Sequence, residues 1–210
     1  MTRSVSLFTK DISLPAITLL EGNGIDELKT LARAISKLSD FNQSRSYRDN
    51  FALLAEWKNR VGVDIECLCI KDTRYQYYNA GTELNYLEKN MHGYLENSDK
   101  DVDLLAEAIL TREEKEAISG LDLNDKYSNI IKLWSGKEAL AKALGDALSY
   151  EPKSLIAPGN WPNASSGCWR YLFFYIYCYT DKFFIISHQD KLITKELLSA
   201  YVVSIVYEVR

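Results

Sequence analysis

Histidine and cysteine are scarce in this sequence, which argues against several kinds of site. The chain carries two histidines and four cysteines among 210 residues. Cys67 and Cys69 are separated by one residue, and no histidine lies at the spacing of a zinc finger. A zinc site is therefore disfavoured, and we interpret the cysteines as reduced thiols of a cytoplasmic protein. His92 and His188 belong to no motif, and we interpret both as structural or surface residues.

Long hydrophobic runs and a strong charge of one sign are also absent. The first fifteen residues lack the continuous apolar core of a signal peptide. The longest apolar and aromatic run, residues 171–179, is too short to cross a bilayer as a helix, so we expect a buried strand there. The net charge of -4 disfavours a nucleic-acid partner but leaves room for a local basic pocket. We therefore expect a cytoplasmic protein with neither a nucleic-acid nor a membrane partner.

The residues that are present predict a packed core. Hydrophobic residues make up 47% of the chain and charged residues 26%, a balance typical of a globular protein. Apolar periodicity and the positions of capping residues predict helices, whereas alternating or β-branched runs predict strands. We expect helices at 25–38, 101–119 (broken near Thr111) and 127–148, a mixed insert at 71–100, and strands at 51–57, 61–70, 169–180, 183–187 and 201–209. Thr111 and Glu114 have the spacing of a capping box, and Gly145 is a candidate stop for the last helix.

The first predicted helix carries a basic stripe. Lys29, Arg33 and Lys37 recur every four residues, which places them along one face of the helix. Two interpretations are open: the stripe is a solvated surface, or it faces a phosphate group.

Two acidic residues lie side by side on a predicted strand. Asp64 and Glu66 are two residues apart, so their side chains leave the same face. Two neighbouring carboxylates repel each other unless a cation or a proton lies between them. Oxygen ligands of this kind suit Mg²⁺, which completes its shell with water and phosphate oxygens. The alternative is an acidic strand end that faces solvent.

A third carboxylate lies on the last predicted helix, beside a lysine. Glu138 and Lys142 are one helical turn apart and share a face in an otherwise apolar helix. Such a pair is ordinarily a surface salt bridge. Together with the acidic strand, it favours a site for a metal ion and a phosphate.

These residues belong to three short motifs that occur in a specific order. The motifs are Phe41-Asn42-Gln43-Ser44-Arg45-Ser46, Gly62-Val63-Asp64-Ile65-Glu66, and Trp134-Ser135-Gly136-Lys137-Glu138-Ala139 with Lys142 and Gly145 after it. As an ordered set they resemble the motifs of the 4′-phosphopantetheinyl transferase superfamily, in its larger, surfactin-synthetase-activating form.

The resemblance implies a set of site residues. In that family Asp64, Glu66 and Glu138 would hold Mg²⁺, and Lys142 would contact the pyrophosphate of coenzyme A. Glu138, or a water that it orients, would take the proton of the serine that is modified. The catalytic set implied is therefore Asp64, Glu138 and Lys142, and the coenzyme A contacts implied are Arg33, Ser44, Arg45, Lys137 and Lys142.

One motif position departs from the family pattern. Arg45 stands where the family usually has histidine. Both residues can contact a phosphate, but arginine stays charged and cannot exchange a proton near neutral pH. We therefore expect Arg45 to keep a phosphate contact and to have no role in proton transfer.

The resemblance also implies the fold. The family has an α+β fold of two similar lobes related by a pseudo-twofold axis, each with a small antiparallel sheet packed by helices, and coenzyme A lies between them. Here the lobes would be residues 1–60 and 61–210, in a monomer. The family normally has a Gly-Lys-Pro stretch and a strand before Phe41, which this chain lacks. We therefore expect a shortened first lobe without part of the usual adenine and 3′-phosphate surface.

The activity implied is a group transfer. The phosphopantetheine arm of coenzyme A would pass to a serine of an apo acyl or peptidyl carrier protein, with release of 3′,5′-ADP and dependence on Mg²⁺. Two rivals stay open. The short first lobe would also suit a non-catalytic relative that binds a carrier protein or coenzyme A, and the acidic residues would suit another enzyme that uses Mg²⁺ and phosphate.

Overall fold

The computed structural model describes residues 3–7, 13–68, 99–179, 183–186 and 197–209. The predicted insert at 71–100 lies outside these ranges except for its last two residues, which are helical. His92, His188, Cys69 and the expected turn at 180–182 also lie outside the described residues.

The described residues form nine strands and four α-helices. In chain order they are β1 (Arg3–Leu7), β2 (Ala16–Glu21), α1 (Ile25–Ser36), β3 (Asn42–Arg48), β4 (Phe51–Trp57), β5 (Val61–Cys67), α2 (Asp99–Ile109), α3 (Arg112–Ile118), α4 (Leu123–Leu144), β6 (Ser165–Ser166), β7 (Trp169–Tyr179), β8 (Phe183–Ile186) and β9 (Leu197–Glu208). Three single-turn 3-10 helices lie between α4 and β6. None of the helices in these ranges is long and apolar enough to cross a membrane.

Two antiparallel sheets form the two lobes. The first sheet has the strand order β1-β2-β4-β3, and the second has the order β5-β9-β7-β6, with β8 paired to β7. The predicted α+β fold of two lobes is therefore confirmed, as is the hairpin of β7 and β8. Helix α1 is followed almost directly by β3, as the missing Gly-Lys-Pro stretch led us to expect.

The two sheets share one hydrophobic core. Leu19 and Leu53 of the first sheet and Val63 and Ile205 of the second belong to a single cluster of buried side chains. Each fully buried aliphatic side chain of this kind stabilises the fold by about 1.5–3 kcal/mol. Because the core is shared, the proposed division into domains at residue 60 stays a prediction.

Capping residues determine where helices α3 and α4 begin and where α4 ends. Thr111 and Glu114 form the predicted capping box at the start of α3, each side chain bonding to the other's backbone N–H. Helix α4 begins at Leu123, four residues earlier than predicted, because the Asp122 side chain accepts hydrogen bonds from the first turn. It ends at Leu144, before the predicted bound of residue 148, because Gly145 adopts a left-handed conformation with φ of 85°.

Helix α4 lies directly on strand β5 at Gly62. A Cβ atom at this position would lie 1.8 Å from the carbonyl oxygen of Ala139 and 2.6 Å from the backbone nitrogen of Ala143. Only a residue without a side chain permits two backbones to approach so closely. The contact brings the second half of α4 against the strand that carries Asp64 and Glu66.

Substitution of Gly62 tests this contact. We expect Gly62→Ala to lower the free energy of unfolding by about 3 kcal/mol, because the added methyl group meets rigid backbone atoms. The measurement is urea denaturation followed by circular dichroism. The matched control is Gly120→Ala, where an added Cβ meets nothing within 4 Å. Equal urea midpoints for the two variants would contradict the close approach.

Candidate active site

Lys142 lies where the two lobes meet. Its ammonium group is 2.7 Å from Asp64 Oδ1 and donates hydrogen bonds to the Ser46 hydroxyl and the Val63 carbonyl, both at 3.2 Å. Ser46 belongs to β3 of the first lobe, whereas the other two partners belong to β5 of the second. One side chain of α4 therefore connects both sheets.

Asp64 is buried, and one of its oxygen atoms has no partner among the described residues. Only 4% of the residue is exposed, and Oδ1 accepts hydrogen bonds from Lys142 and from the Ser46 hydroxyl at 2.8 Å. Oδ2 is buried and has no hydrogen-bond partner among the residues that the structure describes. A buried polar atom left in this way costs about 1–3 kcal/mol. The position therefore favours an additional cation or donor.

The pKa of Glu66 depends on its burial and on the charges of the other acids of the site. Burial raises the pKa of Glu66 to about 7, and the nearby charge of Asp64 adds to the shift. Arg48, 3.2 Å away, and Lys142 oppose it, whereas the Glu138 charge raises it further. The three predicted metal ligands therefore lie close enough to act on one another's charge.

Glu138 is held by a tyrosine that the motifs did not indicate. The Tyr150 hydroxyl donates a hydrogen bond of 2.5 Å to Glu138 Oε1. Burial is the main cause, and this hydrogen bond the second, of the rise in the pKa of Tyr150 well above its ordinary value. The hydroxyl therefore stays protonated. Tyr150 carries no sequence signal of its own, because its contact depends on how the chain turns after Gly145.

The chemistry of these residues fits a hard divalent cation. Asp64, Glu66 and Glu138 supply carboxylate oxygens. Such an ion would provide a positive partner for Oδ2 of Asp64, which has none within the part of the chain that the structure describes. Each carboxylate is turned toward a partner within the protein. As the side chains stand, no three His, Cys, Asp or Glu residues of the described ranges converge on one point. Joint coordination would require the three carboxylates to move closer together.

A cavity of about 590 Å³ with four basic residues in its walls includes Lys142, the partner of Asp64. Its walls come from α1, β3 and the turn after α4, and Lys142 lines it as well as contacting Asp64. Two residues of the basic stripe, Lys29 and Arg33, line the cavity, whereas Lys37 does not appear among its walls. The lining residues are Lys29, Arg33, Gln43, Ser44, Arg45, Tyr47, Lys142, Gly145, Asp146, Ala147, Leu148 and Ser149.

Most of the predicted coenzyme A contacts meet at this cavity. Arg33, Arg45 and Lys142 contribute positive charge to its walls. Ser44 also lines it, but Ser44 is largely buried and its hydroxyl oxygen accepts a hydrogen bond from the Val63 N–H at 3.0 Å. Ser44 therefore also contributes to the junction between β3 and β5.

Lys137 does not line the cavity, and its burial argues against the predicted contact with coenzyme A. Its side chain is 0% exposed and lies 2.7 Å from Glu114 Oε2. It also donates hydrogen bonds to the carbonyl oxygens of Ile109 and Pro152, both at 2.9 Å. All three N–H donors of the ammonium group are thus used inside the second lobe, and none is left for a ligand.

Comparison with known families shows the superfamily to which the chain belongs. The model of the 4′-phosphopantetheinyl transferase superfamily matches residues 92–200, just over half of the chain. The match includes Glu138 and Lys142 but begins after Asp64 and Glu66. A search of curated proteins found no significant match. The chain belongs to the 4′-phosphopantetheinyl transferase superfamily, which is a family of transferases.

The buried pair of Lys137 and Glu114 predicts a large stability effect. We expect Lys137→Met to lower the free energy of unfolding by about 3–5 kcal/mol, because it leaves the Glu114 carboxylate buried without its cation. Chemical denaturation measures this change. In the control, Lys115→Met breaks the more exposed pair of Lys115 and Glu107, and a loss below about 1 kcal/mol is expected. Similar losses of unfolding free energy in the two variants would contradict the expectation that the buried Glu114 depends on Lys137.

Proposed function

We propose that this protein transfers the 4′-phosphopantetheine arm of coenzyme A to a serine of an apo carrier protein, with release of 3′,5′-ADP and dependence on Mg²⁺. The observation that carries the proposal is the position of Lys142, which lines the basic cavity and also contacts Asp64. Sites for an anionic substrate and for a divalent cation are therefore adjacent in space.

The cavity suits the nucleotide end of coenzyme A. That end carries a pyrophosphate and a 3′-phosphate, and the cavity walls carry Lys29, Arg33, Arg45 and Lys142. Hydrogen bonds from charged donors to phosphate oxygens are roughly twice as strong as those between neutral groups. The volume of about 590 Å³ falls within the usual range of ligand sites.

The reaction is a displacement at phosphorus. The serine oxygen forms a bond to the phosphorus next to the pantetheine arm, and the bond from that phosphorus to the bridging oxygen breaks. The bridging oxygen leaves with the electron pair as part of 3′,5′-ADP. Glu138, directly or through a water, receives the serine proton. Lys142 donates to phosphate oxygens on which negative charge develops.

Asp64, Glu66 and Glu138 would hold the Mg²⁺ ion. The bound ion would supply positive charge to the pyrophosphate as the phosphorus–oxygen bond breaks. Lys142 now donates to three oxygen atoms within the protein. Contact with pyrophosphate therefore requires Lys142 to exchange one of these partners for a phosphate oxygen.

A second function is favoured by one feature of the same site. Each of the three carboxylates already has a partner within the protein: Lys142 for Asp64, Arg48 for Glu66 and Tyr150 for Glu138. A non-catalytic relative that binds a carrier protein or coenzyme A would need no more than this arrangement. Oδ2 of Asp64, which no described residue contacts by a hydrogen bond, favours the metal-dependent enzyme instead.

Intact-mass spectrometry of apo carrier proteins tests the proposal. With enzyme, coenzyme A and Mg²⁺, we expect a gain of one phosphopantetheine arm on a carrier serine, and no gain when a chelator is added. Glu138→Gln removes the proton acceptor and a metal ligand, so the rate should fall by about 10²–10⁴-fold.

The matched control for Glu138→Gln is Glu116→Gln, which changes an exposed residue of α3 and should leave the rate unchanged. Folded wild-type protein that modifies none of a panel of fatty-acid, polyketide and peptide carriers would favour the binding relative. Transfer that persists in the chelator would contradict the dependence on Mg²⁺.

The two residues Arg33 and Lys37 provide a test of the cavity. We expect Arg33→Ala to weaken coenzyme A binding by about tenfold or more, because it removes a charged donor from the cavity wall. Lys37→Ala removes the same charge from the end of α1, outside the lining residues, and should change the affinity less than twofold. Isothermal titration calorimetry at fixed ionic strength gives both values. Equal losses would indicate a general charge effect and contradict a specific site.

A further inference from the structure

Tyr150 reaches the site because the chain reverses after helix α4. Gly145 ends the helix in a left-handed conformation, and the backbone N–H groups of Ser149 and Tyr150 then donate to the carbonyl oxygen of Asp146. This tight turn directs the chain back along α4. The Tyr150 side chain thereby meets Glu138, which lies twelve residues earlier in the sequence.

Tyr150 contacts the site through its hydroxyl group. It donates to Oε1 of Glu138 and leaves Oε2 for another partner. The ring is not a member of the hydrophobic clusters found among the described residues. A contribution of Tyr150 to the site is therefore expected to come from the hydrogen bond.

A glutamate side chain has three rotatable bonds, and its carboxylate can point in many directions. A hydrogen bond to one oxygen restricts those directions and lowers the conformational entropy that remains to be lost when a ligand binds. Partners that hold a ligating carboxylate typically change metal affinity or activity by about 10–100-fold when they are removed.

We propose that Tyr150 is a positioning residue that holds Glu138 through Oε1 and so keeps Oε2 available to a divalent cation and to the incoming serine hydroxyl. The proposal rests on the function proposed above for Glu138. Tyr150 acts through Glu138 and does not itself touch coenzyme A or the serine.

Tyr150→Phe tests the proposal, because it removes the hydroxyl and keeps the ring. The first readout is the affinity for Mn²⁺ alone, measured by the electron paramagnetic resonance signal of the free ion. The second is the split between kcat and KM for coenzyme A in the transfer assay. We expect Mn²⁺ affinity and kcat each to fall by about tenfold. The KM for coenzyme A should stay within twofold, since the basic cavity is unchanged.

Tyr171→Phe is the matched control. It also removes a tyrosine hydroxyl from the protein interior, where the partner is the Ser204 hydroxyl at 3.2 Å. This control should leave Mn²⁺ affinity and kcat unchanged.

A double variant, Tyr150→Phe with Glu138→Gln, adds a second test. If Tyr150 acts through Glu138, loss of the hydroxyl should lower kcat no further in the Glu138→Gln background.

Three results would overturn the inference. They are unchanged Mn²⁺ affinity and kcat in Tyr150→Phe, equal losses in Tyr171→Phe, and fully additive losses in the double variant. Failure of the proposed function is distinguishable, because the wild-type protein would then modify no carrier protein. The Mn²⁺ measurement requires no turnover and would still test the role of the hydrogen bond.

Discussion

The direct contact between the backbones of helix α4 and strand β5 is the constraint on which the site depends. Gly62 permits this contact, because any side chain there would collide with the backbone of Ala139 and Ala143. Two residues further along the strand, Asp64 then lies within 2.7 Å of Lys142 on the helix. A helix held farther from the strand could not place its lysine and glutamate beside the acids of β5. The glycine of the motif is therefore as necessary to the geometry as the charged residues are.

Lys142 connects the stability of the protein with its proposed chemistry. It neutralises a buried aspartate, which would otherwise carry a penalty of several kcal/mol. Its hydrogen bond to Ser46 also ties β3 of the first lobe to the second lobe. The same ammonium group lines the basic cavity. An anionic ligand that contacts Lys142 in that cavity would compete with its internal partners, and ligand binding would then be coupled to the contact between the two lobes.

The sequence predicted those features that depend on local patterns. The capping box at Thr111, the end of α4 at Gly145 and the alternation along β5 were all recognisable. Strand β3 was harder to recognise by pattern because it lies at the edge of its sheet and is largely polar. The motif could not indicate that Lys137 points into the second lobe, because that direction depends on Glu114 from another helix. Tyr150 carried no signal, since its contact with Glu138 requires a turn that only the folded chain contains.

A crystal structure with coenzyme A and Mn²⁺ bound, with anomalous diffraction used to locate the metal, is the most direct test of the site. We predict an anomalous peak at ligand distance from Asp64 Oδ2, with Glu66 and Oε2 of Glu138 also in contact with the metal and with Lys142 in contact with the pyrophosphate. Arg33 and Arg45 should then face the phosphates of the nucleotide. A metal bound elsewhere, or coenzyme A bound outside the cavity of Lys29, Arg33, Arg45 and Lys142, would contradict the account.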